Sequence, residues 1–64
     1  MKLDRKKIEI ARARKQMSVT DLAKAYGVSR ARMNIILNQC NITANCAGRL
    51  AVVLDCDVTE IIQD

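Results

Sequence analysis

Residues 18–37 have the sequence SVTDLAKAYGVSRARMNIIL, in which one helix-start signal follows another across a glycine. Ser18 and Asp21 have the spacing of a capping box, where each side chain accepts a hydrogen bond from the backbone amide of the other residue. Gly27 is suited to end this helix, because glycine readily adopts the left-handed conformation found just past helix C-termini. Ser29 is placed to cap the next helix. The segment therefore predicts two short helices joined by a tight turn.

Similar signals predict three further helices outside this segment. Asp4 and Thr43 are placed to cap two of them, and Asp57 and Glu60 form a second capping box before a short last helix. Proline, which would interrupt a helix, does not occur in the chain. We therefore expect an all-α fold, a compact five-helix domain that spans the whole chain and contains a helix-turn-helix. The predicted helices lie at about 4–15, 18–26, 29–38, 43–54 and 57–62 of the single domain 1–64.

The length and composition indicate one small folded domain. The chain has 64 residues and a hydrophobic content of 50%, which argues against intrinsic disorder. No apolar run approaches the ~18 residues of a membrane span, and the charged N-terminus lacks the apolar region of a secretory signal. We therefore expect a cytoplasmic protein that does not enter a membrane.

The charge is distributed unevenly along the chain. Residues 1–32 contain ten basic and three acidic side chains, a net charge of +7, whereas residues 33–64 contain one basic and four acidic side chains, a net charge of −3. A basic half joined to a mildly acidic half favours a surface that binds a polyanion. A solvated, lysine-rich first helix would produce the same asymmetry, and the charge pattern alone leaves both interpretations open.

The residue types needed for catalysis or metal binding are scarce. The chain has no histidine and no glycine-rich phosphate loop, and its carboxylates are scattered along the sequence. Cys40, Cys46 and Cys56 include no C-x-x-C pair, so we expect them to be small apolar residues in a reducing cytoplasm. We expect no enzyme activity, no cofactor, no metal and no small-molecule ligand.

The spacing of the central segment is that of a helix-turn-helix, in which a small residue lies where the helices cross and apolar residues fix the angle between them. The residues that form this pattern are Leu22, Ala23, Tyr26, Gly27, Val28, Met33 and Ile36. The later segments GRLAVVL (48–54) and VTEII (58–62) extend the match. Over about residues 5–62 the sequence resembles the phage-repressor (Cro/XRE-type) helix-turn-helix family.

The resemblance implies a transcriptional regulator of the repressor type that binds double-stranded DNA sequence-specifically, with the third helix in the major groove. The positions that it assigns to base contacts are Arg30, Ala31, Asn34 and Ile35. Their chemistry fits, since arginine pairs with guanine, asparagine with adenine, and apolar side chains with the thymine methyl. Helix N-termini and nearby polar side chains suit phosphates. The residues expected to contact phosphates are Ser18, Thr20, Lys24, Ser29, Arg32 and Asn38.

Three positions depart from the family pattern. Leu37 stands where the family often has an acidic partner for the arginine at position 12. Arg12 is therefore expected to be exposed, to bind a carbonyl or to touch a phosphate. Gln39 and Asp55 replace two usual glycines, and Asn38 and Asp55 could adopt the left-handed conformation in their place.

The sequence leaves the oligomeric state and the class of partner open. We expect a homodimer on DNA, because paired half-sites are usual for this mode of binding. The expected interface is Val53, Val58, Ile61 and Ile62, although packing within one core would also account for these residues. The rival hypothesis is a protein-interaction module, an antirepressor or antitoxin-like binder. The succession of Ile35, Ile36 and Leu37 beside the neutral Ala31 favours that rival.

Overall fold

The computed structural model describes residues 1–39 and 41–63, so the prediction for Cys40 lies outside the described residues. Within them the chain forms four α-helices and a short 3₁₀ turn. The helices are α1 (Arg5–Lys15), α2 (Val19–Tyr26), α3 (Arg30–Asn38) and α4 (Ala44–Val53), and the turn is Val58–Glu60. The prediction of an all-helical fold is confirmed for this part of the chain, whereas the prediction of five helices is wrong.

The predicted fifth helix is limited to the 3₁₀ turn because the chain after it pairs with the N-terminal segment. The Asp57–Glu60 capping box forms as predicted. The amide of Asp4 then donates to the Ile61 carbonyl (2.9 Å), and the amide of Gln63 donates to the Lys2 carbonyl (2.9 Å). Backbone groups engaged in this antiparallel pairing are not available for a continuing helix.

The N-caps of all four helices are the predicted residues. Each side chain accepts a hydrogen bond from the amide three residues on, at 3.0–3.1 Å. The capping residues are Asp4, Ser18, Ser29 and Thr43. These contacts satisfy amides that a helix start would otherwise leave without a partner.

The helix ends follow the predictions only in part. Gly27 has a φ of 95° and Asp55 a φ of 54°, so both adopt the left-handed conformation as expected. Asn38 does not, because the chain leaves α3 through an extended Gln39. A third left-handed residue, which was not predicted, is Gln16 at the end of α1, with a φ of 54°. A long polar residue in this region is uncommon, and no local sequence pattern predicts it here.

The core is built around α2, which packs against both α3 and α4, while the 3₁₀ turn packs against α1 and α4. The fully buried large side chains come from α2, α3, α4 and the C-terminal segment: Leu22, Met33, Leu50, Leu54 and Ile61. Burial of one such side chain contributes about 1.5–3 kcal/mol. The packing of α3 on α2 holds the inner face of α3 and leaves its outer face in solvent.

Candidate nucleic-acid interface

The third helix has a buried face and an exposed face. Met33, Ile36 and Leu37 are buried against the rest of the core. The four residues assigned to base contacts are all exposed, and they follow the i, i+1, i+4, i+5 spacing that places side chains on one side of a helix. They are Arg30, Ala31, Asn34 and Ile35. The structure thus places on one side of α3 the four side chains to which the family resemblance assigns base contacts.

The turn between α2 and α3 is fixed by backbone hydrogen bonds. The Ala23 carbonyl accepts from the amides of Gly27 (2.8 Å) and Val28 (3.0 Å). Ala23 itself is only 2% exposed, consistent with the small residue expected where the helices cross. These hydrogen bonds hold the turn and so help to orient α3 relative to α2.

The N-termini of α2 and α3 differ in charge. At α2 the Asp21 carboxylate accepts from the Ser18 amide (3.0 Å), and this hydrogen bond is the main reason that its pKa lies below the ordinary value. The first turn of α3 contains no acidic residue and carries Arg30 and Arg32. Because an anion is favoured at a helix N-terminus that has no carboxylate, the start of α3 is electrostatically better suited to an anion than the start of α2.

The remaining residues predicted to contact phosphates lie at several places around the two helices. Lys24 and Arg32 are exposed, and Thr20 is half-buried in the first turn of α2. The Ser18 and Ser29 hydroxyls accept cap hydrogen bonds, which leaves each hydroxyl proton available for a phosphate oxygen. Asn38, at the far end of α3, accepts a hydrogen bond from Arg5.

Two arginines from neighbouring helices brace α2 by donating hydrogen bonds to backbone carbonyls at its end or just before its start. Arg49 donates to the Tyr26 carbonyl (2.7 Å), and its guanidinium carbon lies 4.1 Å from the centroid of the Tyr26 ring. Arg12 donates to the Met17 carbonyl (3.1 Å), so the carbonyl-bonded alternative is the one found. The role of Arg49 could not be predicted from the sequence, because its partner is 23 residues away and no local spacing links the two.

Tyr26, the only aromatic residue in the sequence, also links α2 to α4 through its hydroxyl group. The Tyr26 hydroxyl donates to the Cys46 sulfur at 3.2 Å. Burial is the main cause that raises the Tyr26 pKa above its ordinary value, and the hydrogen bond to Cys46 adds to it. Cys46 and Cys56 are free and partly buried, in keeping with a packing role.

The residues predicted for a dimer interface need one correction. Ile61 is 0% exposed and packed within the core of a single chain, so its side chain offers no surface to a second copy. Val53, Val58 and Ile62 are partly buried against the same core. Val52, which was not predicted, is 80% exposed. It lines a groove of about 510 Å³ between the end of α2 and α4.

Metal-binding clusters and membrane-spanning helices are both missing from the described part of the chain. Residues 1–39 and 41–63 contain no group of three or more histidine, cysteine, aspartate or glutamate side chains placed to hold a metal ion. Among the helices described, none has the length and apolar character needed to cross a membrane.

The comparisons with known proteins identify the family. The family model for the Cro/C1-type HTH DNA-binding domain matches residues 7–64. Searches of curated proteins and of solved structures returned no significant match. Since the family model covers nearly the whole chain, the chain belongs to the Cro/C1-type helix-turn-helix DNA-binding family.

Proposed function

We propose that this member of the Cro/C1-type helix-turn-helix family is a transcriptional regulator of the repressor type, a cytoplasmic protein that recognises specific double-stranded DNA sequences through α3. The observation that carries the proposal is the outer face of α3, where the predicted base-contacting side chains are exposed together. An α-helix fits the major groove, where each base pair presents a distinct set of donors and acceptors. In this proposal the α3 outer face lies against the base edges.

Each side chain on this face has a distinct recognition role in the proposal. Arg30, in the first turn of α3, donates two hydrogen bonds to a guanine. Asn34, one turn further, pairs with an adenine. Ala31 or Ile35 contacts a thymine methyl group. Lys24 and Arg32 bind the phosphate backbone and fix the position of the helix without reading sequence.

We also propose that the chain binds DNA as a homodimer. A single α3 offers four side chains to the bases, which is a short recognition surface for a sequence-specific regulator. Two copies related by a twofold axis would read half-sites about 34 Å apart, one turn of DNA. The proposed contacts between copies are Val53, Val58 and Ile62, because each remains partly accessible and all three come from the C-terminal part of the chain.

The test begins with selection of bound duplexes from a random pool, followed by affinity measurements across a range of salt concentrations. We expect a selected sequence with two symmetric half-sites, and affinity that falls steeply with salt as phosphate contacts release counterions. Arg30→Ala should cost about 1–3 kcal/mol and relax specificity at one base pair. Lys24→Ala, the matched control, should weaken binding to all sequences alike. Unchanged specificity in Arg30→Ala would contradict the placement of α3.

One observation favours a second candidate, a protein-interaction module built on the same scaffold. Ile35 is 53% exposed in the middle of α3, where an apolar side chain could contact a protein partner. The same salt series separates the two functions. A salt slope near zero, with equal affinity for random and selected duplexes, would favour the protein partner.

A further inference from the structure

A basic depression lies at the C-terminal end of α3, where Asn38 follows Asn34 by one turn on the same side of the helix. It has a volume of about 320 Å³ and is formed by the start of the chain, the end of α3 and the C-terminal segment. Its described polar lining consists of two cationic side chains and three amides, with no carboxylate among them. These residues are Lys2, Arg5, Asn38, Gln39 and Gln63. Such a lining is suited to an oxyanion.

Within this depression, Arg5 orients Asn38 across the gap between α1 and α3. The Arg5 guanidinium Nη1 donates a hydrogen bond to the Asn38 side-chain oxygen Oδ1, and both residues are exposed. Because arginine has no acceptor, the oxygen of the Asn38 amide must face Arg5. The Asn38 NH₂ group therefore faces away from Arg5, and its two donors are available to another acceptor.

The position of Arg5 is fixed by the residues that precede it. Leu3 is 6% exposed and forms an isolated antiparallel bridge with Ile62. Asp4 donates its amide to the Ile61 carbonyl, and its side chain caps α1. Arg5 is thus the first residue of a helix whose start is fixed by the backbone hydrogen bond to Ile61 and by the Asp4 cap. A binding group that is preorganised needs a backbone supported in this way.

An anion at this end of α3 has to be attracted by cations from outside the helix. A helix C-terminus carries a partial negative charge, and the last turn of α3 contains no basic residue of its own. The positive charge at this end is supplied by Arg5 and Lys2 from outside α3. An anion at this place is therefore attracted by the N-terminal segment and not by the helix.

We propose that Arg5 and Asn38 together bind one phosphodiester group of the DNA backbone, at the opposite end of α3 from Arg30. The proposal rests on the DNA-binding function proposed above and adds Arg5 as a phosphate-contacting and positioning residue. With this contact, phosphates are held at both ends of α3, which fixes the tilt of the helix in the groove.

The experiment measures the affinity of Arg5→Ala, Asn38→Ala and the double variant for a selected duplex and for a random-sequence duplex. We expect Arg5→Ala to weaken binding to both duplexes by about tenfold, the loss of one charge-assisted contact. The slope of log affinity against log salt should fall by about 0.9, the value for one phosphate. In the Arg5→Ala background, Asn38→Ala should have little further effect, since the two side chains act as a unit.

Arg14→Ala is the matched control. It removes the same charge from the same helix nine residues on, about two and a half turns away and so on the opposite face. Arg14 pairs there with Glu60 at 3.2 Å, an exposed contact of small energetic value. Arg5→Gln keeps a donor for Asn38 without the charge, so its salt slope should fall by the same ~0.9 as in Arg5→Ala while the coupling to Asn38 is retained.

Equal affinities and salt slopes for Arg5→Ala and Arg14→Ala would overturn the proposal, as would independent effects of Arg5→Ala and Asn38→Ala. Circular dichroism of each variant checks that the helices remain intact. If the unaltered protein shows no salt-dependent DNA binding, the proposed function itself fails. A failure confined to the Arg5 site leaves the wild-type salt dependence in place, so the two failures are distinguishable.

Discussion

The chain contains two capping boxes, but only one of them starts an α-helix. Ser18 and Asp21 exchange hydrogen bonds at 3.0 Å in both directions and open the eight-residue α2. Asp57 and Glu60 also form a capping box, yet it opens a 3₁₀ turn of three residues. In both cases the next residue, Leu22 or Ile61, is fully buried.

The two segments differ in the path of the chain after the buried residue. After Leu22 the chain continues with Ala23 and Tyr26 on the same buried face, and so a longer helix gains packing with every turn. After Ile61 the backbone pairs with residues 2–4 and leaves the helical path. A capping box therefore specifies where a helical turn starts, whereas tertiary packing sets how far the helix runs.

The largest effect should come from removing the buried residue next to each box. We expect Ile61→Ala and Leu22→Ala each to lower the free energy of unfolding by about 2–5 kcal/mol, because each leaves a cavity in the core. Urea denaturation measures both. Val52→Ala, an apolar truncation at a residue that is 80% exposed, is the control and should change stability by less than about 0.5 kcal/mol. A similarly small change in Ile61→Ala would show that the C-terminal turn does not depend on the core.

A smaller change in stability should come from replacing either glycine, of which Gly27 ends α2 and Gly48 lies inside α4. Gly27→Ala should lower stability by about 1–2 kcal/mol, because alanine is strained at a φ of 95°. Gly48→Ala, within α4, should raise it by about 0.5–1 kcal/mol, since alanine favours the helix. An added Cβ meets no atom within 4 Å at either position, so backbone conformation sets the sign.

Thermal and urea unfolding of the two glycine variants check this prediction. Gly27→Asn should lose less stability than Gly27→Ala, because asparagine tolerates the left-handed conformation better. Changes of the same sign in Gly27→Ala and Gly48→Ala would contradict the backbone explanation.

The smallest effect should come from protonation of the two boxes. Backbone hydrogen bonds from Ser18 and Asp57 lower the pKa of Asp21 and Glu60 below their ordinary values of 3.8 and 4.5. Since these pKa values are lower in the folded state, each carboxylate stabilises the fold above its ordinary pKa. That contribution is lost as the pH falls through the ordinary value and then through the folded-state value.

Urea unfolding at several pH values between about 7 and 3 measures this loss. Asp21→Asn and Glu60→Gln should each reduce the dependence of stability on pH in the acid range, because each removes a carboxylate whose pKa is lowered by a backbone hydrogen bond. An acid dependence left unchanged by both substitutions would show that these two carboxylates do not contribute to it.

Much of the helical framework and of the α3 face could be predicted from the sequence. Ser29 caps α3 through the Arg32 amide three residues away, and the spacing of Met33, Ile36 and Leu37 predicts which face is buried. The exposed position of Ile35 follows from the same spacing. These features depend on residues within one or two helical turns, and such local interactions are visible in a single sequence.

The contacts between distant segments could not be predicted in this way. Arg5 and Asn38 are 33 residues apart, and Arg49 and Tyr26 are 23 apart. No periodicity relates such pairs, because their separation depends on how whole helices pack. For the same reason the sequence pattern did not distinguish a buried Ile61 from one at a dimer surface.

The local chemistry of caps and helical periodicity set the starts of the four helices, the left-handed turn at Gly27 and the residues on the outer face of α3. Packing set the rest: the short C-terminal turn, the braces on α2 and the placement of Arg5 beside Asn38. The physical reason is the distance along the sequence over which each interaction acts. A cap acts over three residues, whereas residues 2–4 can pair with residues 61–63 only when the core between them is folded. The sequence determines the positive charge of the N-terminal segment, whereas the fold places that charge beside the end of α3.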